Sequence, residues 1–328
     1  MRKLSHAISV VLLSISIAFV SIGNVGAQDP LVFTMISHGG EDNPLWDVII
    51  KGMEDACTLL DADCEWIAAP ITDVAAMTSL WDDALARDND GIGTTAPNPD
   101  IIRDGIARAV DADIPVVVFN TPDPNANTLD ALPTLFYIGA SDFQGGRANA
   151  QAVIRAANTA GISITKGICP IHEEDNSGLE ARCAGVRSVF EEMGIPLDTP
   201  AVSHDIDETA DILTDYFASN PSANAAFMLG TNQASALNQY FQENDIAPNT
   251  IFATSHDTSA EVYQMINDGY LLQTIDQQPY LQGFETIMRI YLNSQFGLSP
   301  ASDILTGPEV IDQNNVDALI DLTQDGYR

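Results

Sequence analysis

Short apolar runs alternate with amphipathic helical stretches along nearly the whole chain, and this rhythm restricts the fold more than any single motif. Leu31–Ile36 is an apolar run. Directly after it, Trp46, Ile49, Ile50, Met53, Cys57 and Leu60 recur at spacings of three and four on one helical face. Cys64–Ile67 precedes a helix bearing Val74, Met77, Leu80, Trp81 and Leu85, and Gly91–Thr95 precedes one bearing Ile101, Ile102, Ile106 and Val110. Pro115–Phe119 reads as a fully buried strand, and Leu135–Gly139 leads to a change of unit. A second series starts with a helix from about Gln144. Its strands fall at 167–169, 225–229, 250–253 and 271–275, and a long helix over about 280–296 ends it. Strands separated by crossover helices build doubly wound parallel sheets. With no low-complexity linker and no short-period repeat, the pattern predicts two α/β lobes with close crossovers.

The 328 residues suffice for two lobes with separate cores. Residues 1–27 read as a secretory leader: Arg2 and Lys3, an apolar stretch from Ile8 to Val20, then Val25-Gly26-Ala27 before Gln28. The apolar stretch is short and broken by Ser9, Ser14 and Ser16, which argues against a membrane anchor. No Cys follows the leader to carry a lipid. Export to the periplasm or cell envelope is therefore expected. The formal net charge of −33, made more negative when the leader leaves, repels nucleic acid and anionic membranes. The Asp-rich stretches read as solvated surface and are assigned no metal.

Four cysteines, Cys57, Cys64, Cys169 and Cys183, in an exported chain point to disulfides, with three pairings open. Their separations do not suit a four-Cys metal site. No Ser elbow, Gly-rich phosphate loop or zincin helix is present, so an enzyme is not expected, and no cofactor is assigned.

Binding chemistry gathers where strands end, the position at which open α/β sheets take their ligands. Gly39-Gly40-Glu41-Asp42-Asn43-Pro44-Leu45-Trp46 follows the first strand. Asn43 offers donors and acceptors, and the Trp46 indole suits the C–H face of a sugar ring. The same residues also read as a helix cap with Pro44 at the first helical position, and the two roles are compatible. His38, His172 and His256 stand at other strand mouths, each able to donate or accept. A metal site made of these three is the competing reading, and none is assigned.

The ordered landmarks resemble the sugar-binding branch of the type I periplasmic binding proteins, the ribose- and galactose-type receptors of ABC importers. They are Asn43-Pro44-Leu45-Trp46, Ile114–Asn120, Gly139-Ala140-Ser141-Asp142 with Gly145-Gly146, Leu179–Gly185 around Arg182, Ser255-His256-Asp257, Asn267-Asp268-Gly269 and Thr274–Gln278. The resemblance spans about residues 31 to 310. It implies two Rossmann-like lobes joined by a three-segment hinge, with crossings near Ser141, Gln277–Gln278 and Thr306–Pro308. One lobe would hold 28–141 and 278–307, the other 142–277 and 308–328. A monomer is expected to close on a small neutral polyhydroxylated ligand and present it to an ABC permease.

The resemblance further implies cystines confined within lobes, Cys57–Cys64 and Cys169–Cys183. It casts Asn43 as a polar ligand, Trp46 as a stacking aromatic, Arg182 as a paired donor to hydroxyls, Asp257 as an acceptor and Gln277 as a hinge ligand. Asn120-Thr121 replaces the Asp-Arg pair of ribose-type receptors, Gly230 replaces an Asn, and Leu45 replaces one of two aromatics. These departures argue against ribose. They leave Asn120, His38 and His172 as polar groups of the cleft to which the resemblance gives no fixed role. A sensing receptor of the same fold and a nucleoside-like ligand are the alternatives.

Overall fold

The computed structural model describes residues 30–40, 43–70 and 73–328. The leader at 1–27 and the Glu41–Asp42 loop tip lie outside the described residues. The first series contains β1 (Val32–Ser37), α1 (Pro44–Leu60), β2 (Asp63–Ala68), α2 (Met77–Leu85), β3 (Gly91–Thr94), α3 (Pro99–Asp111), β4 (Val116–Phe119) and β5 (Tyr137–Ala140). The second contains α4 (Asp142–Ala160), β6 (Gly167–Ile168), α5 (Ser177–Glu192), β7 (Leu197–Asp198), α6 (Ile206–Ser219), β8 (Ala225–Phe227), α7 (Thr231–Glu243), β9 (Phe252–His256), α8 (Ala260–Asn267) and β10 (Gln273–Asp276). The chain then runs through α9 (Pro279–Phe296), β11 (Ile304–Gly307), β12 (Glu309–Asp312) and α10 (Ile320–Gln324).

Two six-stranded sheets result, ordered β2-β1-β3-β4-β5-β11 and β7-β6-β8-β9-β10-β12. Every pairing in the first is parallel, whereas β12 runs antiparallel to β10 in the second. Helices cover both faces of each sheet, which is why strands such as Val116–Phe119 are apolar and buried throughout. Short β7, β11 and β12 were not distinguished by the sequence pattern, since two to four residues at a sheet edge carry too little periodicity.

The chain passes from the first sheet to the second after β5, back after β10, and over again between β11 and β12. These passages touch one another. Ser141 N donates to Gly307 O at 3.1 Å, and Thr306 Oγ1 donates to Gln277 O at 2.7 Å.

Each half has one tight helix crossing built on glycine. A Cβ on Gly52 would run into the Tyr280 carbonyl oxygen, and one on Gly283 into that of Ile49, so α1 and α9 meet backbone to backbone. Gly146 stands in the same way against the Arg182 carbonyl, and Gly185 against that of Phe143, joining α4 to α5. The cysteines form Cys57–Cys64 and Cys169–Cys183, with Cα separations of 6.2 and 5.9 Å. No helix among the described residues is long and apolar enough to cross a membrane.

Candidate functional site

The carboxyl ends of the two sheets face a shared cleft of about 530 Å³, counting its open mouth. His38, Asn43, Trp46, Asn120, His172, Arg182 and Asp257 all line it. The structure thus brings together seven of the eight candidates. Gln277 is not among the lining residues. It is buried behind the cleft, where its Nε2 donates to Asp257 Oδ1 at 2.5 Å. It reaches the cleft only through that carboxylate.

The first half contributes neutral groups. Asn43 caps α1, its Oδ1 accepting from Leu45 N at 3.0 Å, with Pro44 at the first helical position. Cap and cleft roles coexist, because the cap fixes the loop that presents the side chain. Trp46 is 3% exposed and joins the core beneath β1, so only an edge of its ring reaches the cleft. It meets His38 edge-on at 5.1 Å between centroids. Asn120 ends β4 in a left-handed conformation (φ 58°), which Asn tolerates better than most residues. Its amide is committed internally: Nδ2 donates to Gln282 Oε1 at 3.0 Å, and Oδ1 accepts from Thr121 Oγ1 at 3.0 Å.

The second half contributes charge. The α4–α5 crossing sets the Arg182 backbone against Gly146, and one turn earlier its side chain meets Asp142, with Nε donating to Oδ1 at 2.8 Å. Nη1 donates to Leu229 O at 2.7 Å. A guanidinium has five N–H donors, so the remainder are available to a ligand. Asp257 ends β9, also left-handed (φ 67°), and its Oδ2 lies 3.9 Å from Arg182 Nη1. Burial opposes the charge on Arg182, but Asp142 and Asp257 outweigh it and hold the guanidinium protonated. Burial pushes both carboxyls above the usual carboxylate range, and Arg182 limits the rise. A buried cation between two acceptors, with donors left over, is suited to hydroxyl recognition.

Further polar residues line the cleft that sequence reasoning did not single out as ligands, among them Asp142, Glu173, Asn176 and His204. Asp142 stood within the Gly139–Asp142 landmark. Asn176 was legible as a cap, since its Oδ1 accepts from Gly178 N and Leu179 N at the start of α5. Glu173 sits beside His172 in sequence. His204 lies in an irregular loop that gives no periodic signal. His256 is placed away from the lining. It is buried against Gly145 and Asn149, and burial together with Arg182 drives its pKa well below that of a free imidazole.

The α5 cap also fixes proton positions across the cleft. Because Oδ1 of Asn176 accepts two backbone N–H groups, its Nδ2 must be the atom that faces Glu173 Oε2 at 2.6 Å and His38 Nε2 at 3.4 Å. His38 Nε2 therefore accepts. Its Nδ1 carries the hydrogen and donates to Thr95 Oγ1 at 2.8 Å. Ser177 Oγ donating to Pro122 O at 3.1 Å also joins the halves.

Comparison with known proteins agrees with this architecture. The family described as periplasmic binding protein domain matches residues 33–295. A xylose/arabinose-binding protein, XylF, of Sulfolobus acidocaldarius is 28% identical over 258 residues, which is 76% of this chain but only 63% of that protein's length. A carbohydrate transporter structure from Acidothermus cellulolyticus, in complex with myo-inositol, superposes with a TM-score of 0.80 at 25% identity, covering 91% of this chain and all of that one. The glucose-galactose binding protein GanP from Geobacillus stearothermophilus has a TM-score of 0.76 at 21% identity, over 88% of this chain and 99% of that one, and shares the fold. With the family match covering most of its length, this chain belongs to the periplasmic binding protein domain family.

Proposed function

We propose that this chain is an exported substrate-binding protein that captures a small sugar or polyol between its two lobes and delivers it to an ABC permease. The observation that carries the reading is the Arg182–Asp257 pair, which keeps donors and an acceptor available to a ligand opposite the neutral, aromatic side formed by Asn43 and Trp46. Such a set matches adjacent hydroxyls on one side of a ring, with the Asn43 amide and the edge of the Trp46 indole on the other. The relative named for xylose and arabinose, and the structure holding myo-inositol, support the same ligand class. In this reading residues 28–141 with 278–307 form one lobe, and 142–277 with 308–328 the other. They rotate about the touching crossings at Ser141, Gln277 and Gly307. The protein acts as a monomer, performs no chemistry on its ligand, and reaches the periplasm by the leader at 1–27.

A thermal-shift screen of pentoses, hexoses, inositols, nucleosides and amino acids tests this. A true ligand at a hundred times its Kd adds about 2.7 kcal/mol of apparent stability by mass action. Stabilisation by one or a few neutral polyhydroxylated compounds is expected. Stabilisation by nucleosides or amino acids alone would overturn the carbohydrate reading.

A further inference from the structure

The cleft holds a second cluster that sugar binding does not require. His172 and Glu173 follow β6, and His204 precedes α6. One ligating atom from each lies within 4.8 Å of the others. His204 Nε2 is 3.3 Å from Glu173 Oε1, yet it is not aligned as a hydrogen bond. Two ligands on a tetrahedral ion with bonds of roughly 2.0–2.1 Å sit about 3.3 Å apart, so this pair is already at metal-ligand spacing.

Two buried nitrogens there, Nδ1 of His172 and Nε2 of His204, have no hydrogen-bond partner among the described residues. Buried polar atoms are normally paired, and an orphaned pair beside a carboxylate calls for an occupant. The rings meet edge-on at 4.9 Å between centroids. Across the cleft His38 Nε2, its lone pair directed by the Asn176 amide, lies 3.7 Å from Glu173 Oε2.

We propose that His172, Glu173 and His204 form a site for a divalent transition-metal ion, best matched by zinc. Two imidazoles and a carboxylate are a donor set zinc accepts with a further position left open, and a cation preferring only oxygen would gain little from the two nitrogens. All three side chains line the cleft, so the ion would touch whatever the cleft holds. The proposal does not rest on the carbohydrate reading.

The test is calorimetric titration of untagged protein with zinc chloride, alongside cobalt(II) followed by visible absorption. One saturable zinc site per chain is expected, with an intense cobalt band typical of low coordination number. Glu173→Gln and His204→Ala should each weaken zinc by at least tenfold and remove the cobalt band. Far-UV circular dichroism and a magnesium titration complete the set. With 46 acidic residues, the surface will hold cations loosely. Zinc binding matched by magnesium, or unchanged in both folded variants, would assign it to that surface and overturn the site. Failure to saturate at one ion per chain would overturn it as well. Should either variant not fold, a wild-type cobalt spectrum showing only octahedral, oxygen-type absorption decides against the site.

Discussion

The two halves of this molecule share one framework and fill it with opposite chemistry. In each, an Asn caps the helix that follows the sheet's second strand in spatial order: Asn43 before α1 and Asn176 before α5. Gly52 and Gly185 each stand nine residues beyond the cap and make the close helix crossing. Strands β4 and β9 both end in a left-handed residue, Asn120 and Asp257. Six residues beyond the caps, however, stand Ile49, fully buried in the core of the first half, and Arg182, which faces the cleft in the second. The backbone plan places the positions, and the side chain at each decides whether it stabilises the lobe or meets a ligand. The Asn120 amide is satisfied within the first half. Charged groups of the second half keep valences to spare.

Arg182→Ala should produce the largest effect and break the comparison at its sharpest point. It removes a charge-assisted donor worth about 1.5–3 kcal/mol, so affinity for the cleft's ligand should fall at least about tenfold. It also leaves Asp142 buried without its partner, and breaking such a pair costs about 3–5 kcal/mol of stability. Sequence alone suggests that binding suffers far more than folding; the buried bond to Asp142 leads to the expectation that folding suffers as well. Arg182→Lys separates the two effects by keeping a charge and losing the fork. Asn120→Ala, at a residue bonded inside its own half, should lower affinity much less. Calorimetry with denaturant unfolding checks all three, and an Asn120→Ala loss equal to that of Arg182→Ala would abolish the distinction between the halves.

The glycine crossings offer a middle-sized test. Alanine at Gly52 or Gly146 gains up to about 1 kcal/mol of helix propensity but overpacks a backbone contact, for a net loss of about 2 kcal/mol at either site. Urea midpoints should fall alike for the two variants. Affinity should fall only for Gly146→Ala, because that glycine bears on the Arg182 backbone. Equal affinities with equal stability losses would show that the α4–α5 crossing does not aim the guanidinium.

The alternating pattern was sufficient to read the doubly wound class, because buried parallel strands and amphipathic crossover helices leave strong periodic signals. The cap at Asn43 was legible because turn chemistry is local, and Asn120 directly follows the apolar run Pro115–Phe119; Asp257 came from the resemblance, since the run read at 250–253 stops four residues short of it. What escaped depends on contacts distant in sequence. Nothing near Gln277 says that it holds Asp257 from behind, since that bond spans twenty residues and two strands. His204 enters the cleft because the segment before α6 pairs with the loop that follows β6, Val202 N donating to Ile171 O at 2.9 Å. His256, read as one of three equivalent mouths, is turned into the crowded space beside Gly145.

The cystines give the smallest and most selective contrast. Each half has one, and each closes a short loop, so each should contribute roughly 2–3 kcal/mol to stability at most. Their positions differ. Cys57 and Cys64 join the end of α1 to the start of β2, at the edge of the sheet remote from the cleft. Cys169 follows β6 three residues before His172, and Cys183 adjoins Arg182. That second bond holds a binding loop and the arginine's helix in register before any ligand arrives. Releasing it adds an ordering cost of about 0.5–1.5 kcal/mol for each side chain that must then be immobilised. Replacing Cys169 and Cys183 with Ala should therefore weaken ligand binding about threefold to tenfold. The Cys57/Cys64 double variant should lose similar stability and keep its affinity. Titrations of both variants, held well below their unfolding midpoints, measure this. A matched affinity loss in the two would mean that the bonds act only through global stability and that neither preorganises the cleft.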